Sequence, residues 1–407
     1  MGTRQVPLED RLLPEGITSS FVDVRDLRYH YLDCLAPYEE SGSHKRAPLI
    51  VLLHGFPELA YSWRKIMIPL SKQGYRVVAP DQRGYGRSTT RRVAYSDDTR
   101  PFSVLNLVED VKAFTHALGY DHVAAVVGHD AGSIVAGFCT WLYPETFRSV
   151  VMMSAPFTTQ LPGSAISTKR VQEWKSYLQQ LNEPRKYYMD YFCSSAANGD
   201  MFGEPPKEPL TREEDGKMLK EFLRGYFYVK AADWSVNDPH PISDYQLLHQ
   251  RVPSYYIMPL QATMPHTINS LTQDYTVDIS RWLSDPELDF YVAEFGRTGF
   301  QGGLNWYRMF FQANETLDDL ELKCSNAAGS MQAQFKVPAR FIAGTKDWGT
   351  WQTPGATDKM KSLLTPDLAD GDRRVVLIEG AGHWVQQEKP DDVIRELTIF
   401  VQANRAA

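Results

Sequence analysis

Polar and apolar residues alternate through Ser20-Phe-Val-Asp-Val24 and again through Leu27-Arg-Tyr-His-Tyr-Leu32. A period of two is the mark of a half-buried strand, and the closeness of the two runs predicts an antiparallel opening pair. The pattern then changes to short, continuous apolar runs: Leu49-Ile-Val-Leu-Leu53, Tyr75-Arg-Val-Val-Ala79, His122-Val-Ala-Ala-Val-Val127 and Val150-Val-Met-Met153. Runs this short and β-branched, bounded by Gly, Pro or Asp, suit parallel strands buried on both faces. Helical periodicity fills the gaps, notably from Val104 to Leu118 and from Ser133 to Leu142. The pattern resumes with Ala339-Arg-Phe-Ile-Ala-Gly344 and Arg374-Val-Val-Leu-Ile-Glu379, and a last helix is predicted from Asp391 to Gln402. Strands alternating with helices give an α/β fold, a mostly parallel doubly wound sheet.

Between about Phe157 and Phe335 this alternation stops, and Tyr, Trp and Pro become frequent. Helix-like patches run from Ser167 to Leu181 and from Gly216 to Tyr228, while Gly203-Glu-Pro-Pro-Lys-Glu-Pro209 reads as a surface turn. The organisation expected is a core of residues 1–156 and 336–407 with a mainly helical cap, 157–335, inserted over the carboxyl ends of the strands. Open α/β sheets keep their ligand crevice at that end.

Composition narrows the function classes. A net charge of −7 with no Lys/Arg-rich run argues against a nucleic-acid partner. No stretch approaches the ~18 apolar residues of a spanning helix. The first ten residues lack the apolar run of a signal peptide, so a cytoplasmic protein is expected. Cys34, Cys139, Cys193 and Cys324 are far apart, with no Cys-x-x-Cys pair, and read as free thiols. The oligomeric state is open, a homodimer among the alternatives.

The sharpest local signal is Gly128-His-Asp-Ala-Gly132, after a predicted strand and before a predicted helix. It has the form of the Gly-x-Ser-x-Gly nucleophile elbow with Asp130 in the serine position, its glycines permitting the tight turn. Alone it is a weak signal, because an Asp at a helix start also caps that helix. His54-Gly-Phe-Pro-Glu58 follows an earlier strand, where such folds supply one oxyanion amide, here Phe56; Ala131 supplies the other. A plain turn is its bland alternative. Late in the chain, Asp347 follows one strand and His383, in Gly380-Ala-Gly-His-Trp384, follows the next. Imidazole needs a carboxylate to fix its tautomer and stabilise its cation, so Asp347 and His383 form a natural pair. The order nucleophile, acid, histidine completes a candidate triad of Asp130, Asp347 and His383.

These strings, with Asp81-Gln-Arg-Gly-Tyr-Gly-Arg-Ser88 and Gly299-Phe-Gln-Gly-Gly-Leu-Asn-Trp-Tyr-Arg308, closely resemble the soluble-type epoxide hydrolases of the α/β-hydrolase fold. The resemblance covers most of the chain and thins in the middle of the cap. It implies a small-molecule epoxide as substrate, no metal or organic cofactor, and two cap tyrosines that donate to the epoxide oxygen. Tyr307 fits one position, and Tyr188, in Arg185-Lys-Tyr-Tyr-Met-Asp-Tyr-Phe192, is chosen for the other over Tyr245. Pro57, Trp306, Trp348 and Trp384 are expected at the substrate pocket, and the aromatic cap suits an apolar or aromatic epoxide. Many relatives have Trp after the nucleophile, whereas this chain has Ala131, which implies a roomier site.

A carboxylate suits such a substrate, since an epoxide must be displaced at carbon and Asp needs no base to activate it. The nearest rival is a dehalogenase of the same fold, which stabilises a departing halide with Trp or Asn donors. A ligand-binding protein that kept the fold and lost turnover is the alternative of another class.

Overall fold

A computed structural model describes residues 13–40, 46–89, 91–159, 165–202, 212–311, 334–365 and 372–404. The opening hairpin is β1 (Thr18–Val24) and β2 (Leu27–Cys34), antiparallel in the register Val24↔Leu27 to Thr18↔Asp33. Then follow β3 (Leu49–Leu53), β4 (Arg76–Pro80), β5 (Ala125–His129) and β6 (Val150–Met153). Two short strands, β7 (Arg185–Tyr187) and β8 (Ile257–Pro259), pair with each other alone. The chain then returns to the main sheet as β9 (Ala339–Gly344) and β10 (Val375–Ile378).

The main sheet has eight strands in the order β1-β2-β4-β3-β5-β6-β9-β10. Pairing is antiparallel as far as β2–β4, and every pairing from β4 to β10 is parallel. All residues of β3, β5, β6 and β9 are buried, which is why their sequences are continuous apolar runs instead of alternations. At the edge, β10 exposes Leu377. The helix Val104–Ala117 starts where Ser103 accepts a hydrogen bond from the Asn106 amide, and it packs on the helix Ala131–Leu142. The helices Arg64–Ser71 and Pro390–Ala403 form a second packed pair.

Between β6 and β9 the chain leaves the sheet. The described part of this insertion holds the helices Ala165–Gln179, Tyr188–Phe192, Ala197–Phe202, Arg212–Lys230, Met264–Thr272, Asp285–Thr298 and Gln301–Phe311. The β7–β8 ribbon is absent from the pattern-based expectation, because three-residue strands are too short to show a period. The helix expected to end at Tyr228 runs to Lys230. Ser284 and Glu287 form a capping box at the start of Asp285–Thr298. The same Glu287 accepts from Arg64 Nε at 2.7 Å, which ties the insertion to the core. The turn expected at Gly203–Pro209 and the thiol of Cys324 lie outside the described residues. Cys139 and Cys193 are buried thiols, and Cys34 is buried as well.

Candidate active site

The site begins at the end of β5, where Asp130 takes φ 52° and ψ −122°, a backbone region that side-chain-bearing residues rarely adopt. Neighbouring glycines make the turn possible. A Cβ on Gly128 would lie 2.1 Å from the Gly132 carbonyl oxygen, and one on Gly132 would lie 2.4 Å from that of Leu53. Gly55 is constrained by Asp130 itself, since its Cβ would fall 2.4 Å from that of Asp130. The Gly-x-Asp-x-Gly spacing is thus a steric requirement, and it distinguishes this aspartate from a simple helix cap.

Asp347 and His383 arrive from the ends of β9 and β10. Asp347 Oδ1 is 3.0 Å from His383 Nδ1, and also accepts from the Gly349 amide at 2.7 Å. His383 Nε2 lies 3.4 Å from Asp130 Oδ2 and has no hydrogen-bond partner among the described residues. The other oxygen, Asp130 Oδ1, accepts from the Phe56 amide at 3.1 Å. The Phe56–Pro57 peptide is cis, and Pro57 is buried. Ala131 is half-buried and opens the helix Ala131–Leu142, whose first amides have no intrahelical acceptor.

Burial opposes the charge on all three triad members, and their mutual attraction outweighs it. His383 is raised to about 9 by Asp347 and Asp130 despite its desolvation and the nearby Lys230. Asp130 is half-buried, and His383 and Lys230 hold it well below the usual carboxylate range against desolvation. Asp347 is lowered in the same way, chiefly by His383 against desolvation. These opposite shifts favour a charged imidazole between two carboxylates in the resting site.

A further layer holds the histidine in place, and sequence reasoning missed it. Glu58 pairs with His129 Nδ1 at 2.5 Å, both side chains fully buried, and His129 Nε2 reaches the His383 carbonyl oxygen at 2.8 Å. Glu58 also accepts from the amides of Gln386 and Gln387. Glu388 is half-buried and accepts from the backbone amides of Gly382, Trp384 and Ala232. Glu58 stands inside a string already singled out and Glu388 four residues beyond another, so proximity to a motif was the available signal.

Above the carboxylate, Tyr188 and Tyr307 are brought together with ring centroids 6.2 Å apart. Tyr307 also packs edge-on to Phe56 at 5.5 Å and against Phe192 at 5.0 Å. Its helix, Gln301–Phe311, lies directly on the core: a Cβ on Gly302 would meet the Gly84 carbonyl oxygen at 1.9 Å, and one on Gly303 the Tyr85 hydroxyl at 2.5 Å. Two motif strings thus dock through their glycines. Tyr188 follows directly on β7, and its amide donates to the Tyr256 carbonyl at 2.8 Å, so the ribbon sets its position. Burial raises both phenols well above the ordinary tyrosine value, and the charge of Asp130 adds to this for each. Tyr85 and Tyr226 respond to the Asp130 charge as well and were not singled out from the sequence. Tyr245 packs on Trp174 at 6.0 Å and adjoins Tyr187, one residue away from the chosen Tyr188.

The tryptophans divide. Trp384 meets His383 edge-on at 4.7 Å and gives its indole N–H to the Phe227 carbonyl, while Trp306 sits edge-on to Tyr85 and donates to the Arg83 carbonyl. Neither indole N–H is left for a ligand. Trp348 is buried beside His240, and its N–H has no partner among the described residues. No cluster of three His, Cys, Asp or Glu side chains suited to a metal ion occurs among the described residues, and none of their helices is long and apolar enough to cross a membrane.

Comparison with known proteins bears on what this arrangement is. Residues 48–186 match the family described as the alpha/beta hydrolase fold. Epoxide hydrolase A of Mycobacterium tuberculosis is 31% identical over 388 residues, spanning 94% of this chain and 97% of its own. The chain belongs to the epoxide hydrolases of the α/β-hydrolase fold. Epoxide hydrolase B of the same organism is 32% identical over 370 residues, 89% of this chain and 93% of its own. Among solved structures, an epoxide hydrolase from an endophytic Streptomyces superposes with a TM-score of 0.69 at 27% identity, covering 97% of this chain and 98% of that one. Potato epoxide hydrolase I gives 0.65 at 26% identity, with 95% and 99% covered.

Proposed function

We propose that this epoxide hydrolase opens its substrate to a vicinal diol in two half-reactions, with Asp130 as nucleophile, His383 as base, and the inserted helices as a cap over the site. The observation that carries the reading is the set of contacts on one carboxylate. One Asp130 oxygen rests on the Phe56 amide, the other faces His383 Nε2, and two phenols stand nearby.

In the first step Asp130 Oδ2 attacks a ring carbon and the C–O bond breaks. The electron pair leaves with the epoxide oxygen, Tyr188 and Tyr307 hydrogen-bond to it and supply its proton, and the imidazolium of His383 returns a proton to the phenolate, which leaves the imidazole neutral. An alkyl ester joins substrate to enzyme. Esterification removes the Asp130 charge that helps hold a proton on His383, so the imidazole becomes a better base when one is needed. Asp347 keeps its tautomer fixed.

His383 then takes a proton from water, and the oxygen attacks the Asp130 carbonyl carbon. Negative charge collects on Oδ1, already seated on the Phe56 amide, with the Ala131 amide as second donor. Such a donor is worth about 2.7–4 kcal/mol. Collapse releases the diol and restores the carboxylate, one oxygen of which now derives from water. The presence of phenols where a dehalogenase would need halide donors favours the epoxide over a haloalkane. The small Ala131 side chain favours a bulky substrate, and the buried thiols Cys139 and Cys193 favour a reducing, cytosolic setting.

The test is intact mass spectrometry of His383→Gln protein incubated with aryl and alkyl epoxides. The expected result is a mass increase equal to the whole epoxide, mapped to the peptide carrying Asp130. Diol formation by the wild type without any trapped adduct in the variant would transfer the attack to water and remove Asp130 from its role.

A further inference from the structure

The reaction as written uses two phenols, a carboxylate, an imidazole and two amides, and leaves one charged group in the site without a task. Lys230 ends the helix Arg212–Lys230, and its carbonyl accepts the His383 amide at 2.8 Å. Its side chain is only 5% exposed. The ammonium lies 4.9 Å from the ring centroid of Tyr256, 5.1 Å from that of Tyr226, 5.9 Å from that of Tyr188 and 6.0 Å from that of Trp384. Aromatic faces attract its charge. They do not satisfy three N–H donors, and among the described residues Lys230 Nζ has neither a hydrogen bond nor an ion pair within 4 Å.

One turn earlier on the same helix, Tyr226 is 1% exposed, and its hydroxyl also has no hydrogen-bond partner among the described residues. Its phenol responds to the charge of Asp130, as does the Lys230 ammonium, which also responds to Asp347. An ammonium and a phenol on largely buried side chains, four residues apart, therefore present donors to the open space of the site with no acceptor among the described residues. A ligand acceptor that enters this space can engage both.

We propose that Lys230 and Tyr226 form a carboxylate subsite, so that the substrate of this enzyme is an epoxide bearing a carboxylate close to the ring. A carboxylate suits the ammonium better than a neutral acceptor, because it both accepts the N–H groups and neutralises the charge, whereas an amide of the same shape only accepts. The Lys230 charge also offsets the repulsion between this carboxylate and Asp130 during binding. The product is a dihydroxy acid, and the reaction that supplies the substrate is an epoxidation of an unsaturated acid.

This inference rests on the epoxide-opening reading, and its test separates the two. The matched probes are 3-phenylglycidate and 3-phenylglycidamide, with styrene oxide as an uncharged reference. Wild type is expected to favour the glycidate over the amide in kcat/KM by about ten- to a hundredfold, the value of one charge-assisted hydrogen bond in a buried site. Lys230→Met should bring that ratio close to one, Lys230→Arg should keep most of it, and Tyr226→Phe should lower it in part. The ratio cancels any general damage to the site, which a merely structural lysine would produce equally for both probes. A wild-type ratio near one, or a ratio unchanged in Lys230→Met, overturns the subsite. Calorimetric binding of 3-phenylpropanoate against 3-phenylpropanamide to wild type decides the same point without turnover or a variant. Tighter binding of the acid supports the subsite, and equal binding overturns it. Failure of wild type to open any of the three epoxides sinks the epoxide reading instead, with the binding comparison still deciding whether a carboxylate is recognised.

Discussion

The strand ends and the inserted helices contribute to one site in different ways. At the strand ends each functional group has one candidate, fixed by close backbone approach: Gly55, Gly128 and Gly132 leave no room for a side chain, and Asp130, Asp347 and His383 meet within hydrogen-bond or ion-pair distance. In the insertion the contacts are between rings, and several phenols share the space. Tyr188, Tyr226 and Tyr307 all respond to the charge of Asp130, and Tyr85 joins them from the core. Geometry that depends on atoms too close to replace tolerates no substitution. Geometry that depends on packed aromatic faces allows one phenol to stand in, partly, for another.

The sharpest way to break this contrast is at Asp130. Asp130→Asn should lower diol formation by about ten-thousandfold or more, since a catalytic unit fails as a whole when its nucleophile is lost. Steady-state assay of diol checks it, and a residual rate within a hundredfold of wild type would show that the strand ends are as replaceable as the cap. Next comes Gly132→Ala, whose Cβ would stand 2.4 Å from the Leu53 oxygen. The expected outcome is a loss of about 3 kcal/mol or more in urea unfolding, or failure to fold, because backbone must move to admit the methyl. In the insertion, Tyr307→Phe and Tyr188→Phe should each lower kcat by about a hundredfold, less than the loss of the nucleophile, because the second donor remains. The double variant should lose far more than either, and equal rates for single and double variants would refute shared donation.

The smallest effect concerns pH. His383 has a folded-state pKa of about 9, above the roughly 6.5 of an unfolded chain. Its contribution to stability is therefore fully present below pH ~6.5 and disappears as pH rises through about 9. The stability gap between wild type and His383→Gln, read from urea midpoints, should narrow between pH 6 and pH 10. A gap that widened with pH would mean that His383 rests neutral.

How much of this was legible beforehand follows the same division. The runs that became β3, β5, β6 and β9 are apolar throughout because both faces are covered, so length and flanking glycines were enough to find them. Asp130, Asp347 and His383 were visible because a strained turn and a charge relay each demand particular residue types at fixed places in chain order. The β7–β8 ribbon left no periodic trace, although it positions Tyr188 through the Tyr256 carbonyl. With 21 tyrosines in the chain, composition could not tell Tyr226 from a packing residue, and its importance comes from a fold that brings helix Arg212–Lys230 over the carboxylate. Lys230 was invisible for a related reason: a lysine at a helix end ordinarily faces water. Trp306, expected at the pocket, has its indole N–H bound to the Arg83 carbonyl.

The half-buried carboxylate of Glu388 grips the amides of Gly382, Trp384 and Ala232, while His383 itself hangs from the Lys230 carbonyl. The insertion and the histidine loop are thereby riveted together at residues 230–232. Were the helices to swing outward along this seam to admit a substrate, the base would be dragged out of line with Asp347. With this seam closed, exchange of substrate and product leaves the contact between Asp347 and His383 intact.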